Sequence, residues 1–330
     1  MDTEIRCHDH PHLLGESATH PIEPRCGTLA ALLRLAGRSP QRCPALPAHR
    51  ITAHSGASNC RFQDHSPRLL FLLPRLAFIA ALGFAASLAS SQTATGIDPR
   101  RSGFYFMGES TQAMQKDDSQ NPGMLWVSDG ESLWNLPAGK SGKACISCHA
   151  AAASSMRGVA ARYPAFDEVL KRPISLSQRV NHCRHEHQQA EPFRAESQEL
   201  LSLESYVAHQ SRGLPVSPPD DARLTPFRQQ GQQRFVQRMG QLGLSCAQCH
   251  DDNAGKRLGG SLIPQAHPTG YPVYRLEWQA MGSLQRRLRN CMSGVRAEPF
   301  AYGAQELVEL ELHLTARAKG MTLETPAVRP

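Results

Sequence analysis

Cys145-Ile-Ser-Cys-His149 and Cys246-Ala-Gln-Cys-His250 constrain this chain more than any other feature. Both are CxxCH motifs, the attachment signature of c-type haem. Two thiols one helical turn apart reach the two vinyl groups of one porphyrin, and the adjacent His offers its imidazole to the iron from the same side. A single CxxCH can arise by chance or form half a zinc site. Two of them in a repeated context point to two covalently bound haem c groups, held by Cys145 and Cys148 and by Cys246 and Cys249, with His149 and His250 on the irons.

The repeated context is plain in the residues. Adding 101 carries Gly130, Trp134, Gly139 and Gly142 onto Gly231, Phe235, Gly240 and Gly243, and Cys145 onto Cys246. Downstream, Glu191-Pro-Phe193 and Gln198-Glu-Leu200 return as Glu298-Pro-Phe300 and Gln305-Glu-Leu307 at an offset of 107. A small unit is therefore used twice, with a loop of variable length after the haem motif, which indicates duplicated domains rather than a solenoid. The fold class expected is mostly α, with two tandem class I cytochrome c-like domains over 97–213 and 214–330.

Of ten cysteines, four lie in the first 60 residues and four in the motifs, leaving Cys183 and Cys291 at similar places in the two repeats. Three readings compete for this pair: a disulfide, two inert buried thiols, or a distal thiolate for each haem iron. The last uses every remaining cysteine and is favoured. His182, His185 and His187 are rival ligands at the first haem, and Met281 and Met292 at the second; none of these has a counterpart in the other repeat.

The net charge of +7 and pI of about 9.0 would suit nucleic acid. No nucleic-acid motif accompanies them, and much of the Arg and His lies in the N-terminal stretch, so no nucleic-acid partner is expected. Arginine clusters also serve anionic substrates. Aromatic content of 6% suits small haem domains, whose porphyrin supplies much of the apolar core. Residues 67–91 read as a signal peptide: Arg68 and Arg75, an apolar run Leu76–Ala89, then small residues for cleavage. The run is short for a membrane span, and a retained anchor is the alternative reading. Export to the periplasm is expected. Residues 1–66 carry no apolar periodicity and are expected to be a non-homologous or mis-annotated extension; a disordered metal-binding tail is the rival reading.

Periodicity predicts a helix over 304–318, with Leu307, Leu310, Leu314 and Ala318 inward, Glu306, Glu309 and Glu311 on other faces, and Gly320 as terminator. Residues 196–209 are its equivalent. Short helices are expected over 130–134 and 231–239, their glycines permitting close crossing. Gly213 to Asp220, with three prolines, is the expected linker.

These features resemble the SoxA family, the diheme cytochrome c subunits of the SoxAX complex of bacterial sulfur oxidation. The resemblance covers about residues 97–322. It is carried by Met114–Val127, Gly142–His149, Cys246–Gly260, Tyr274-Arg-Leu-Glu-Trp-Gln279 and Gly282–Cys291. It implies an L-cysteine S-thiosulfotransferase that joins thiosulfate oxidatively to a cysteine of the carrier SoxYZ. The partner implied is a small SoxX-type cytochrome c, and a cytochrome c accepts the electrons. It further implies that Cys291 is a cysteine persulfide and distal haem ligand, that Cys183 is the distal ligand of the first haem, that Arg287 binds substrate, and that Arg317 is a second active-site arginine.

Elementary chemistry agrees. A thiolate among arginines stays anionic, and the planar guanidinium fork suits an oxoanion. A four-residue step places Arg287 and Cys291 on one helix face, and directs Arg286 and Arg289 elsewhere, to a solvated basic face or a carrier-guiding one. Arg179 stands at the same step before Cys183, whereas Gly282–Gln285 and Trp278 show no clear match there. The family assigns catalysis to the second haem; residue reading alone does not choose. The alternatives are a diheme electron-transfer cytochrome, a diheme peroxidase, and a subunit that only seats a partner.

Overall fold

The computed structural model describes residues 98–330; the extension 1–66 and the signal-like segment 67–91 lie outside the described residues. From the N-terminus the elements run α1 (Glu109–Lys116), α2 (Gly123–Asn135), α3 (Cys145–His149), α4 (Ala152–Ser155), β1 (Ala165–Asp167), β2 (Arg172–Ile174), α5 (Leu176–Cys183) and α6 (Gln198–His209). The second copy follows with α7 (Thr225–Val236), α8 (Cys246–His250), β3 (Arg257–Leu258), β4 (Ser261–Leu262), β5 (Val273–Arg275), β6 (Ala280–Gly282), α9 (Leu284–Gly294), α10 (Gln305–Arg317) and β7 (Ala327–Arg329). In each copy a haem-motif helix is followed by a short hairpin, a cysteine-bearing helix and a final long helix.

Glycines set the helix crossings. A Cβ on Gly130 would lie 2.1 Å from the Ser202 carbonyl oxygen, and one on Gly231 would lie 1.9 Å from that of Glu309. So α2 rests directly on the backbone of α6, and α7 on that of α10, as the sequence predicts. Gly139 and Gly240 have φ of +64° and +67°, and a Cβ on either would strike the carbonyl of Gln188 or Val295 at 2.1 Å. Both are glycine by necessity.

The cysteine helices start alike but are capped differently. Ser175 Oγ accepts from the Gln178 amide and the Gln178 side chain returns to the Ser175 amide, a reciprocal box. Ser283 Oγ accepts from the Arg286 amide, but arginine cannot return the bond. The Ser283 amide instead donates to Glu196 Oε2 of the first repeat at 3.3 Å. The repeats therefore complete each other's local structure. Gln178 Nε2 also donates to the Gly303 carbonyl at 3.1 Å, and Arg172 to Gln305 at 2.9 Å. A cavity of about 380 Å³ lies at this junction, lined by residues of both repeats, including Glu196, Glu204 and Gln285.

Several expectations are corrected. The hairpins were not foreseen: β1–β2 stands alone, while β5 is central in a sheet of order β6-β5-β7, antiparallel to β6 and parallel to the C-terminal strand. The helix of 231–239 ends at Val236, and Met239 bridges to Leu244. Helix α10 ends at Arg317, three residues before Gly320. Its Glu309 and Glu311 are buried, because α7 and the other repeat cover the faces that periodicity leaves to solvent. The proline-rich linker is no loose tether: Val216 packs with Ala161, Ala318 and Leu323, and its amide donates to the Met321 carbonyl at 2.8 Å.

Candidate active site

In the first repeat, α2, α3, α5 and α6 enclose a cavity whose walls include Cys145, Cys148, His149 and Cys183. The CxxCH residues come from the whole of α3 and Cys183 from the last position of α5. Trp134 lies 5.7 Å from the His149 ring and donates from its indole to the Ala150 carbonyl at 3.2 Å, holding the end of the motif helix. The remaining wall is largely apolar, with Met156, Leu176, Val180, Leu203 and Val207. Two thiols at the attachment spacing, a His and a Cys as candidate iron donors, and an apolar lining fit a haem.

The second repeat repeats the donors. His250 Nδ1 donates to the Pro264 carbonyl at 2.7 Å, since a carbonyl only accepts. Cys291 hydrogen-bonds His250. Both iron donors expected of this repeat, His250 and Cys291, therefore lie together.

Cys291 is half-buried. Burial alone pushes its thiol up, but the His250 hydrogen bond and the charges of Arg287, His250 and Arg275 outweigh it and hold the thiol below its ordinary value. Cys246 nearby behaves oppositely, pushed up to about 11 by burial and then by the Cys291 charge. The site therefore favours the anionic form of Cys291 over that of Cys246. Helix α9 carries both Arg287 and Cys291, and their charges act on each other as the one-turn spacing predicts.

The rival ligands are placed as follows. His185 pairs with Glu186 at the surface at 2.7 Å, and His182 Nδ1 lies 4.0 Å from Asp167. His187 lines the first cavity together with Cys183. Met281 is buried in the core against Leu201, Tyr274 and Val328. Arg317 is held by Asp251 at 2.5 Å and lies over the Phe235 ring at 4.6 Å, so its guanidinium is committed beside the haem-motif helix α8. Arg286 stacks on Trp278 at 4.1 Å and Arg289 on Tyr302 at 4.4 Å. Both lie over aromatic rings rather than on a solvated face, and Trp278 also carries Arg275 at 5.1 Å.

The equivalence of the two sites goes further than the sequence reading. Tyr163, Asp167, Ser175, Leu176 and Arg179 correspond, at a constant offset of 108, to Tyr271, Arg275, Ser283, Leu284 and Arg287. The segment Gly282–Gln285, read as unmatched, is the counterpart of Ile174–Ser177 at the start of α5. Extending the offset search past 107 would have found it. The same alignment exposes a residue that sequence reasoning missed: Arg275, where the first repeat has Asp167.

The SoxA/TsdA cytochrome c domain model matches residues 129–216 and 230–323. The L-cysteine S-thiosulfotransferase subunit SoxA of Pseudaminobacter salicylatoxidans is 39% identical over 233 residues, covering 70% of this chain and 82% of that protein. The subunit of the same name from Rhodovulum sulfidophilum is 34% identical, covering 70% and 81%. The crystal structure of SoxXA from P. pantotrophus superposes with a TM-score of 0.68 at 34% identity, covering 70% of this chain and 87% of that one.

Proposed function

The chain belongs to the SoxA/TsdA cytochrome c family, and on that premise we propose that it is the haem-bearing subunit of an L-cysteine S-thiosulfotransferase with its active site at Cys291. The observation that carries this reading is the half-buried Cys291 sulfur, one helical turn from Arg287 and hydrogen-bonded to His250. An ordinary electron carrier has no use for such a nucleophile.

Two haem c groups are assigned, held by Cys145, Cys148, Cys246 and Cys249, with His149 and Cys183 as ligands of the first and His250 and Cys291 of the second. When bound, haem c supplies a one-electron acceptor close to the reacting sulfur. Arg287 provides a planar pair of donors for the sulfonate oxygens of thiosulfate. Cys291 offers sulfur as a nucleophile, in the thiolate or persulfide state. In the overall conversion a carrier thiol loses its proton and joins the outer sulfur of thiosulfate. One S–S bond forms, and one proton and two electrons leave. The family resemblance supports a small SoxX-type cytochrome as partner, a SoxYZ-type carrier as co-substrate, a cytochrome c as acceptor and the periplasm as location.

The test is to incubate the chain and its small cytochrome partner with thiosulfate and the carrier, and to weigh the carrier. Addition of a thiosulfonate group is expected, absent with Cys291→Ala and reduced at least about tenfold with Arg287→Ala. No adduct, with both haems still reducible, selects the electron-transfer reading.

A further inference from the structure

The two cysteine sites share their scaffold and an arginine one turn before the sulfur, yet differ in charge at one hairpin position. In the first, Asp167 is 2% exposed and its Oδ2 lies 2.7 Å from the Arg179 guanidinium. That contact cancels the cation facing Cys183. In the second, the same place at the end of the first hairpin strand holds Arg275. Arg287 consequently has no aspartate there and is joined by another guanidinium. The only carboxylate paired with Arg275 among the described residues is Glu277, 2.9 Å away and 48% exposed, whose charge Arg287 also feels. Trp278, 5.1 Å from the guanidinium, covers Arg275 so that its side chain is only 13% exposed. A largely enclosed cation set beside a second cation is costly unless an anion occupies the space between them. Arg287 acts on Arg275, and both act on Cys291, so the three groups share one locality.

We propose that Arg275 is the second half of the thiosulfate site, and that the exchange of Asp167 for Arg275 between the repeats decides which of the two sulfur sites accepts the dianion. This rests on the reading of Cys291 given above. One arginine neutralised by an aspartate offers a dianion no net charge. Two arginines against one half-exposed carboxylate keep a net positive charge for it. The duplication explains why both sites look competent on their haem ligands and differ in what they admit.

The experiment uses the complex of this chain with its small cytochrome partner. Thiosulfate binding is followed by calorimetry without carrier, and conjugation by steady-state kinetics with carrier. Arg275→Gln is expected to raise the thiosulfate KM about tenfold with kcat largely kept, and to weaken calorimetric binding to match. Arg275→Lys restores most of the binding, because charge is retained. Glu277→Gln leaves thiosulfate binding unchanged or tighter; if Arg275 served only to pair Glu277, this variant would be as damaged as Arg275→Gln. Haem spectra report whether each variant keeps its fold. Binding within twofold of wild type in Arg275→Gln overturns the inference, as does weakened binding in Glu277→Gln, and the latter arm stands even if the glutamine variant at 275 does not fold. A wild type that binds thiosulfate through Arg275 but conjugates nothing leaves this inference standing and overturns the transferase reading. A wild type that does neither overturns both.

Discussion

Arg234 Nε and Glu309 Oε2 meet at 2.9 Å, with the carboxylate almost entirely enclosed between α7 and α10. Removing the cation leaves a buried charge without its partner. Arg234→Ala is therefore expected to lower the unfolding free energy by about 3 kcal/mol, measured by urea titration, and Arg234→Lys by less. At this scale the sequence is legible where covalent chemistry fixes spacing. The CxxCH residues form the one-turn helices α3 and α8, and Arg287 and Cys291 share α9, as their spacing predicts. It is illegible where the deciding contact is between elements. Glu309 has the helical phase of an outward residue and is covered by a neighbour that periodicity along one helix does not reveal. Arg275 reads as any strand-end arginine until the hairpin aligns it with Asp167.

The repeated glycines are needed to different degrees, those at helix crossings more than those in turns. At Gly130 and Gly231 an added methyl would meet a carbonyl oxygen of the facing helix, whereas at Gly142 and Gly243 it would meet open space. Gly231→Ala must push α7 off α10 and displace Phe235, which lies 5.3 Å from His313. A loss of about 2–3 kcal/mol is expected, with a perturbed haem spectrum. Gly243→Ala meets only the strain of φ +58° and should cost about 1 kcal/mol with the spectrum unchanged. Chemical denaturation paired with absorption spectra separates the two. Long helices and their glycine contacts could be read from the repeat, because both copies obey the same steric rule. The hairpins could not: their strands are two or three residues long, shorter than any alternation pattern, and β2 contains Pro173.

Across the whole molecule, the repeats meet over two carboxyls in equivalent positions, half-buried Glu204 on α6 and buried Glu311 on α10. Burial pushes each up to about 8, helped for Glu204 by Glu196 and for Glu311 by Glu204. Unfolded, each would titrate near 4.5. Between these values the folded chain holds more protons than the unfolded one, so its stability falls as pH rises from about 4.5 to about 8 and then levels. Urea midpoints should decline over that window, and Glu311→Gln should remove at least about half of the slope while stabilising the protein at pH 8. Nothing in the sequence marks these two glutamates, since their burial follows from how the repeats dock. The C-terminal strand adds a further tie. Strand β7 lies beside β5, the strand that ends in Arg275. The Val328 amide donates to Gln115 of α1 at 3.1 Å, and the Pro326 carbonyl accepts from Asn121 at 2.8 Å. The last residues of the chain thus run from the hairpin of the second copy to the opening helix of the first. What began as two interchangeable modules has become a closed clasp: neither copy can be excised, swapped or trimmed at its tail without loosening the other.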